Sequence, residues 1–297
     1  MPKVTKAVIA AAGFGTRFLP QTKAMPKEML PLVDKPIIQY VVEELVEAGI
    51  KDIIIVGSSN KRAIEDHFDA PSYDLINNLK AGGPSKEPFI AELEAISGMA
   101  NFAYIRQKGP YGNATPVLNA AHLLGNEPFI YTWADDFIRA SPSRFTQLIN
   151  KFDELGGSVI TCIKVTNDSE YDRYGIIAGD TVEGQDGLLK MSRIIEKPGK
   201  DNAPSDFASV SSYLFTPELI PYLENQLTAY DGSREMNIQP AMQAMIDDGH
   251  PYFAYQVQNG IYYDTGNKLD YIKTVIDFAL ERPDMRDELQ AYLRSKL

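Results

Sequence analysis

A glycine loop with four prolines follows the first apolar run of this 297-residue chain and limits what the chain can fold into. The segment AAAGFGTRFLPQTKAMPKEMLPLVDKP covers residues 10–36 and comes directly after the apolar residues of KAVI. Glycines that follow a buried strand let the backbone approach a phosphate closely, because glycine has no Cβ. The prolines exclude the long helix that both the dinucleotide fingerprint and the P-loop require at this point. We therefore predict a loop that stays extended after Gly15 and lies over a phosphate-bearing ligand.

The same loop carries three cations and no acid between Arg17 and Lys27. Arg17 offers a planar fork of donors to phosphate, whereas Lys23 and Lys27 add point charges. The alternative is a surface loop with ordinary solvated cations, and a lone G-x-G would favour it. Three cations spaced along a loop that cannot become helical favour phosphate binding.

Composition and charge narrow the class of function. The net charge of −11 argues against a general nucleic-acid binder, although a local cationic cluster can still bind an anionic small molecule. No signal-peptide pattern and no stretch approaching the ~20 apolar residues of a membrane helix are found, so we expect no membrane partner and a cytoplasmic location. The single cysteine, Cys162, excludes an internal disulfide and is predicted to be a buried small hydrophobe.

Strand-like and helical patterns alternate along the first half of the chain. Buried strands are predicted at residues 6–12 and 51–59, and further strands at residues 101–107 and 127–138. Helices are predicted at residues 37–49, 60–68 with Asn60 as N-cap, and 115–125. This order predicts the α/β class, with a Rossmann-like mixed, mostly parallel sheet flanked by helices. A ligand should bind beyond the carboxyl ends of the strands, where the glycine loop, Gln107 and the Asp135–Asp136 pair fall.

The second half of the chain is less regular. The patterns predict strands at residues 157–166, 207–215 and 252–267, a hairpin of residues 174–182 with 187–198, and helices at residues 216–227, 236–249, 268–281 and 285–297. Residues 77–88 are the best candidate for a mobile insertion. Because no linker divides the chain, we predict a single domain over residues 1–297.

The glycine loop also identifies a family. GFGTRFLPQTKAMPKEMLPLVDKPIIQY closely resembles the signature of the sugar nucleotidyltransferases, and among them the bacterial UTP–glucose-1-phosphate uridylyltransferases. EKP at residues 196–198 and DTGNKLDY at residues 264–271 extend the resemblance over most of the chain. It implies a GT-A-like nucleotidyltransferase fold with a nucleotide-binding half at residues 1–140, a smaller sugar-phosphate-binding half at residues 141–265, and C-terminal helices at residues 266–297.

The resemblance also implies a reaction. Such enzymes transfer a uridylyl group from UTP to glucose-1-phosphate, using Mg²⁺, and give UDP-glucose and pyrophosphate by in-line attack on the α-phosphorus. Catalysis would then rest on positioning and charge stabilisation rather than on an enzyme nucleophile. Members generally form dimers or tetramers, so we expect a homodimer or homotetramer.

Residues of the nucleotide site follow from the resemblance position by position. Arg17 and Lys27 would bind the triphosphate and stabilise its transition state, and Gln107 matches the glutamine that hydrogen-bonds uracil. The other implied nucleotide contacts are Ala11, Ala12, Gly13, Gly15, Glu28 and Gly112.

Asp135 and Asp264 resemble the carboxylate pair that holds Mg²⁺ in this family. Asp136 is the weaker candidate, because neighbouring residues of a strand point to opposite faces. The alternatives are a strand-end turn for Asp135 and a turn-forming Asx residue for Asp264. Trp133 is expected to be a core residue.

On the sugar side, Glu196 resembles the carboxylate that accepts hydrogen bonds from glucose hydroxyls, and Lys197 the lysine that binds the sugar's phosphate. Gly175 matches a glycine beside the sugar. Lys197 thus joins Arg17, Lys27 and Asp135 as a predicted catalytic residue. The alternative for residues 196–197 is an exposed charged pair before a proline turn.

Two segments depart from the family pattern. YGNATP at residues 111–116 keeps only Gly112 of the usual glycine–leucine–glycine–histidine–alanine stretch, which leaves dTTP or another sugar phosphate as an alternative substrate. REMNIQPAMQAM at residues 234–245 departs at the sugar-pocket rim or a subunit contact, and the departing residues are Arg234, Asn237, Gln239 and Pro240.

Two further functions remain as alternatives to nucleotidyl transfer. A metal-dependent glycosyltransferase would need a D-x-D motif, and the ADD of residues 134–136 is not one. A non-catalytic, sugar-nucleotide-binding regulatory subunit would be expected to lose Arg17, Lys27 or a metal aspartate, and all of these are present.

Overall fold

Thirteen strands and ten α-helices make up the computed structural model, which describes residues 2–296. The strands are β1 Lys6–Ala11, β2 Pro31–Leu32, β3 Lys35–Pro36, β4 Asp52–Gly57, β5 Asn101–Arg106, β6 Phe129–Trp133, β7 Asp136–Ala140, β8 Ser158–Lys164, β9 Gly175–Thr181, β10 Leu188–Glu196, β11 Phe207–Phe215, β12 Tyr252–Gln256 and β13 Gly260–Asp264. The helices are α1 Ile37–Glu47, α2 Arg62–Phe68, α3 Tyr73–Ala81, α4 Glu87–Ser97, α5 Thr115–Leu124, α6 Arg144–Leu155, α7 Leu219–Thr228, α8 Gln239–Asp247, α9 Lys268–Glu281 and α10 Arg286–Arg294. Met1 and Leu297, at the ends of the predicted domain, lie outside the described residues.

One sheet of nine strands runs through the molecule in the order β5-β4-β1-β6-β11-β8-β12-β10-β9. The β5, β4, β1 and β6 strands pair in parallel, as do β8 and β12, whereas β10 and β11 are antiparallel to their neighbours. Seven of the nine strands therefore point the same way, and the predicted mixed α/β sheet is confirmed. The predicted boundary between the two halves lies at residue 140. The β6 strand, from the first half, pairs with β11, from the second half, so one continuous sheet contains strands of both halves.

Each face of the sheet buries its own apolar layer. Successive residues of β1 alternate between the faces, since Ile9 joins one apolar cluster and Val8 the other. The α1 helix packs Val41 and Leu45 into the first cluster, and α5 packs Val117 into the second. Cys162 is buried in the second cluster, as predicted. This two-sided burial fixes the carboxyl ends of β1, β4, β5 and β6 at one edge, where their loops meet.

Two predicted strands are broken in the structure. The strand predicted at residues 127–138 ends at Trp133, and β7 starts at Asp136 in a separate sheet, where it pairs with β13. The strand predicted at residues 252–267 divides in the same way into β12 and β13. Polar residues mark both breaks, Asp135–Asp136 in the first and Gln258–Asn259 in the second, but the predicted strands ran through them.

The glycine loop also differs from its prediction. It is not extended after Gly15 but forms three short 3₁₀ turns at Thr16–Phe18, Gln21–Lys23 and Lys27–Met29. Prolines that exclude a long helix still permit isolated turns of this kind. Asn60 is not the N-cap of α2, because Lys61 occupies the capping position. The side chain of Asn60 instead accepts a hydrogen bond from the hydroxyl of Ser58.

Residues 77–88, predicted as a mobile insertion, complete α3, form a 3₁₀ turn at Pro84–Lys86 and begin α4. None of the helices within residues 2–296 is long and apolar enough to cross a membrane.

Candidate functional site

Two adjoining clefts open beyond the carboxyl ends of the first strands. The larger cleft has a volume of ≈870 Å³ and is lined by the glycine loop and the loops after β4 and β5. The smaller cleft has a volume of ≈360 Å³ and is lined mainly by residues from the second half of the chain. The residues that line both clefts are Lys27, Asn113, Trp133, Glu196 and Lys197. A ligand in one cleft and a ligand in the other would therefore meet at the same cations.

The glycine loop owes its shape to the residues packed beneath it. Gly15 has a φ of 64°, and a Cβ added there would lie 3.1 Å from the Cβ of Lys27. Gly13 stands over the same lysine, whose Nζ lies 3.8 Å from where a Gly13 Cβ would be. Gly15 therefore lets the loop close directly onto Lys27, whereas a Cβ at Gly13 would make only ordinary contacts with it. Ala12 and Gly13 line the larger cleft, whereas Ala11 ends β1 and is buried.

Lys61, which sequence reasoning missed, holds this loop from below. Its buried ammonium donates to the carbonyl oxygen of Gly13 at 2.6 Å and to Glu28 Oε2 at 2.8 Å. Glu28 has no exposed surface and lines neither cleft, so it acts on the loop rather than on a ligand. Burial raises the pKa of Glu28, against the attraction of Lys61 and Lys27, and lowers the pKa of Lys61. The surface-helix pattern around Lys61 gave no signal for this contact.

The cations of the loop do not all reach the clefts. Lys27 forms an ion pair with Asp135 Oδ2, and Arg17 Nη1 lies 3.4 Å from the carbonyl oxygen of Gly266. Burial opposes the charge on Lys27, but the attraction of Asp135 and other acids outweighs it and raises its pKa. Lys23 is exposed and lines neither cleft. Two of the three predicted phosphate-binding cations therefore face the smaller cleft.

The two predicted metal-binding carboxylates converge around one glycine. A Cβ added at Gly266 would lie 2.9 Å from Asp264 Oδ1, 3.6 Å from Asp135 Oδ2 and 3.4 Å from Arg17 Nη1. Thr265 fixes this arrangement, because its backbone N and its hydroxyl donate to the Asp135 carbonyl oxygen at 2.9 and 2.6 Å. Asp264 also accepts from Arg173 and, at 3.1 Å, from the Tyr174 hydroxyl. Both carboxylates thus reach the smaller cleft with cations beside them.

Asp136 points away from this pair. Its Oδ2 accepts from the backbone N of Ser211 at 2.8 Å, and its Oδ1 is buried without a hydrogen-bond partner among the described residues. Ser211 lies in a bulge of β11 with a φ of 65°, and this bend aims its N–H at the carboxylate. Burial, together with the charges of Asp135 and Asp264, raises the pKa of Asp136 to about 7.

The far end of the larger cleft is formed by the loop after β5. Gln107 lines it, and its Nε2 donates to the carbonyl oxygen of Pro110 at 3.4 Å. Gly112 also lines it with a φ of 131°, and a Cβ there would lie 2.2 Å from the carbonyl oxygen of Met236. Only glycine fits between this cleft and residue 236.

The two segments that depart from the family pattern touch one another. Backbone hydrogen bonds join Met236 N to the Tyr111 carbonyl oxygen at 2.7 Å and Ala114 N to the Met236 carbonyl oxygen at 3.0 Å. Asn113 Oδ1 accepts from Ile238 N at 2.7 Å, directly before α8. Residues 111–116 and 234–239 therefore form one wall of the site, which no local pattern predicts.

Glu196 ends β10 and Lys197 follows it, and both residues line both clefts. Their charged groups lie 3.6 Å apart, and burial raises the pKa of Glu196 against the attraction of Lys197. A Cβ at Gly175, opposite Glu196 in the β9–β10 pair, would lie 3.1 Å from Glu196 Oε2. Lys197 has a φ of 46°, a strained conformation for a lysine that is typical of functional sites. Glu196 is partly buried, whereas the side chain of Lys197 is exposed.

Trp133 packs against the second apolar cluster but is not fully buried in it, so the expectation of a core residue holds only in part. Its ring is half-buried, lines both clefts and packs edge-on against Tyr213 at 5.2 Å between centroids. Because β6 ends at this residue, its side chain reaches the end of the sheet, where the clefts open.

Comparisons with known proteins agree on one family. The family model described as nucleotidyl transferase matches residues 6–279. A UTP–glucose-1-phosphate uridylyltransferase of Bacillus subtilis strain 168 is 44% identical over 297 residues, which cover 100% of this chain and 98% of that protein.

Solved structures give the same result for the fold. A UDP-glucose pyrophosphorylase complexed with UDP-glucose superposes with a TM-score of 0.82 and 34% identity, covering 94% of this chain and 100% of the other. A UTP-bound enzyme of the same kind from Acinetobacter baumannii superposes with a TM-score of 0.86 and 32% identity, covering 98% of each chain.

Proposed function

Since this chain belongs to the nucleotidyl transferase family, and within it to the UTP–glucose-1-phosphate uridylyltransferases, we propose that it transfers a uridylyl group from UTP to glucose-1-phosphate. The observation that carries the proposal is the shared wall of the two clefts. Lys27 and Lys197 line both clefts, so two anionic substrates can meet there with their mutual repulsion offset. The larger cleft would hold the nucleotide and the smaller cleft the sugar phosphate.

The base and ribose would lie at the far end of the larger cleft. The carboxamide of Gln107 offers a donor and an acceptor, which suits the imide edge of uracil. Gly112 lines the same end of the cleft, where the absence of a Cβ lets its backbone pack directly against Met236, and Gly13 lines the same cleft. The triphosphate would then extend from this end toward Lys27 and Arg17.

Bond making and breaking need no protein nucleophile. A phosphate oxygen of glucose-1-phosphate forms a bond to the α-phosphorus, and the bond from that phosphorus to the bridging oxygen breaks as its electron pair leaves with pyrophosphate. Lys27 and Arg17 would stabilise the charge that builds on the phosphoryl oxygens, and Lys197 would hold the attacking phosphate. Glu196 would accept hydrogen bonds from sugar hydroxyls above Gly175.

We further propose that Asp135 and Asp264 bind Mg²⁺. Their convergence around Gly266 fits a hard cation, which prefers carboxylate oxygens and keeps sites for water and phosphate. Within residues 2–296 no cluster of three or more His, Cys, Asp or Glu could hold a metal alone, so substrate phosphates would complete the coordination. When bound, Mg²⁺ would neutralise phosphate charge. Asp135 also orients Lys27, whereas Arg173 orients Asp264.

The assembly and location are proposed as well. Ile261, Leu269 and Ile272 expose 62, 63 and 54% of their surface around β13 and α9, and such apolar side chains suit a contact with a second copy. We therefore propose a homodimer or homotetramer. The cytoplasm is proposed as its location. Sedimentation velocity at several concentrations would give the number of subunits.

Pyrophosphate release tests the proposed reaction. UTP, dTTP, ATP and GTP are each combined with glucose-1-phosphate, galactose-1-phosphate and N-acetylglucosamine-1-phosphate, with and without Mg²⁺. Turnover that needs Mg²⁺ and is strongest for UTP with glucose-1-phosphate is expected. Preference for dTTP or another sugar phosphate would keep the mechanism and change the product, and no turnover with any pair would overturn the proposal.

A further inference from the structure

Gln239 is a buried polar side chain that the reaction described above does not use. It is the first residue of α8, it is 5% exposed, and it lines the smaller cleft. Its Oε1 is buried and has no hydrogen-bond partner within residues 2–296. Leaving such an acceptor unsatisfied is unfavourable, so in a residue that lines a cleft this arrangement indicates a partner that arrives with a ligand.

The carboxamide lies next to the residues proposed to hold the sugar. A Cβ added at Gly175 would lie 3.7 Å from Gln239 Nε2 and 3.1 Å from Glu196 Oε2. The glycine thus leaves an open surface with an amide on one side and a carboxylate on the other. Glu196 can only accept hydrogen bonds when ionised, whereas a carboxamide can both donate and accept.

The backbone that carries Gln239 is held in place. Ile238 N, in the preceding peptide, donates to Asn113 Oδ1 at 2.7 Å, and Pro240 fixes the first turn of α8. A side chain on such a support keeps its direction when the ligand leaves. Its partner must be small and uncharged, because a carboxamide carries no net charge with which to offset a buried ion.

We infer that Gln239 is a specificity-determining residue for the sugar, and that its carboxamide hydrogen-bonds a neutral ring hydroxyl on the side of the sugar that faces Gly175. This inference rests on the proposed function, since it assigns the sugar of that reaction to the smaller cleft. The hydroxyl would satisfy Oε1, and Nε2 would be free to donate to the same or a neighbouring hydroxyl oxygen.

The test removes the hydrogen-bonding groups from Gln239 in one set of measurements and from the sugar in another. Gln239→Met keeps the length of the side chain but neither donates nor accepts strongly. kcat/KM is measured for wild type and variant with glucose-1-phosphate and with its 2-, 3-, 4- and 6-deoxy analogues. We expect kcat/KM of the variant to fall on the order of tenfold below that of wild type with glucose-1-phosphate. With the analogue that lacks the recognised hydroxyl, kcat/KM should fall less than about twofold.

Gln226 supplies a matched control. Its Oε1 is likewise buried without a partner among the described residues, but it lines neither cleft. Gln226→Met should leave the ranking of the five sugar phosphates unchanged. Thermal unfolding of both variants checks that they fold, and Gln239→Glu, which keeps the acceptor oxygens and the shape, should retain part of the wild-type discrimination.

Each outcome decides the inference. A Gln239→Met loss that is equal for all five sugar phosphates, or no loss at all, would overturn the role of Gln239 while wild-type turnover upholds the proposed function. Wild-type protein that neither turns over any of the five nor binds glucose-1-phosphate in calorimetry would overturn both. A loss confined to sugars that carry one particular hydroxyl supports the inference.

Discussion

The ammonium of Lys61 lies 2.8 Å from the carboxylate of Glu28, and both side chains are buried under the glycine loop. The same ammonium donates to Gly13, so one ion pair ties the first residues of the loop to its last turn. Neither residue lines the larger or the smaller cleft. The pair therefore affects a ligand only through the shape of the loop.

Breaking this ion pair is expected to destabilise the protein. Lys61→Met should lower the free energy of unfolding by about 3–5 kcal/mol, because it leaves Glu28 buried and uncompensated. It should also raise KM for UTP, because Gly13 loses its support. Urea unfolding and initial rates measure the two effects. The double variant Lys61→Met, Glu28→Met should recover part of the stability, and a double variant less stable than the single one would contradict the argument.

Arg17 is expected to act mainly in the transition state. Its guanidinium reaches the carbonyl oxygen of Gly266, beside the two converging carboxylates. Arg17→Ala should lower kcat by about 10²–10³-fold with a much smaller change in KM for UTP. Lys23→Ala is the matched control, because Lys23 is a cation of the same loop that lines neither cleft. Equal effects of the two variants on kcat would show that Arg17 does not act in the transition state.

The Mg²⁺ requirement is expected to depend on Asp135 and Asp264. Asp135→Asn should raise the Mg²⁺ concentration for half-maximal activity by at least tenfold and leave Lys27 without its ion-pair partner. Asp264→Asn should do the same and free Arg173. Mg²⁺ titrations of both variants check this. Normal Mg²⁺ dependence in either variant would show that the substituted residue does not bind the metal.

Gly175→Ala should weaken binding of the sugar phosphate alone. The backbone of Gly175 does not need a positive φ, so the new methyl group acts through its contacts, of which the tightest is 3.1 Å from Glu196 Oε2. KM for glucose-1-phosphate should rise about tenfold while KM for UTP changes less than twofold. Gly98→Ala is the control, because its Cβ would make only ordinary contacts, the nearest at 3.5 Å. A larger rise in KM for UTP would place the sugar elsewhere.

Asp136 should make stability depend on pH. Its pKa is raised to about 7 in the folded protein, mainly by burial, so the folded state binds this proton more tightly than the unfolded chain does. This contribution to stability is fully present below about pH 4, the usual pKa of an aspartate, and is lost as the pH rises toward 7. The free energy of unfolding of Asp136→Asn, relative to that of wild type, should therefore rise by on the order of 2 kcal/mol between pH 4.5 and pH 7.

Urea unfolding in EDTA measures this difference, because bound Mg²⁺ would change the charges beside Asp136. The comparison is between variant and wild type at each pH, so that other titrating groups cancel. A difference that does not change with pH would show that Asp136 ionises normally in the folded protein.

Local patterns predicted the parts of the fold that depend on neighbouring residues. The β9–β10 hairpin, the α5 helix with its proline in the first turn, and the β1, β4 and β5 strands all appear near their predicted bounds, although β5 lies at the edge of the sheet and is only partly buried. The breaks before β7 and β13 were missed, because no local pattern shows that the strand after a polar interruption joins a different sheet.

The sequence by itself determined the fold class and the position of the glycine loop, and its resemblance to a family assigned Arg17, Lys27, Asp135 and Asp264 to one site. The types of these residues suit phosphate and metal. Only the tertiary structure decided that Lys61 supports Gly13, that Lys23 stays outside the two clefts and that Gln239 lines the smaller cleft. These contacts join residues tens to hundreds of positions apart, and burial, which sets their energies, is a property of the packed chain rather than of any segment.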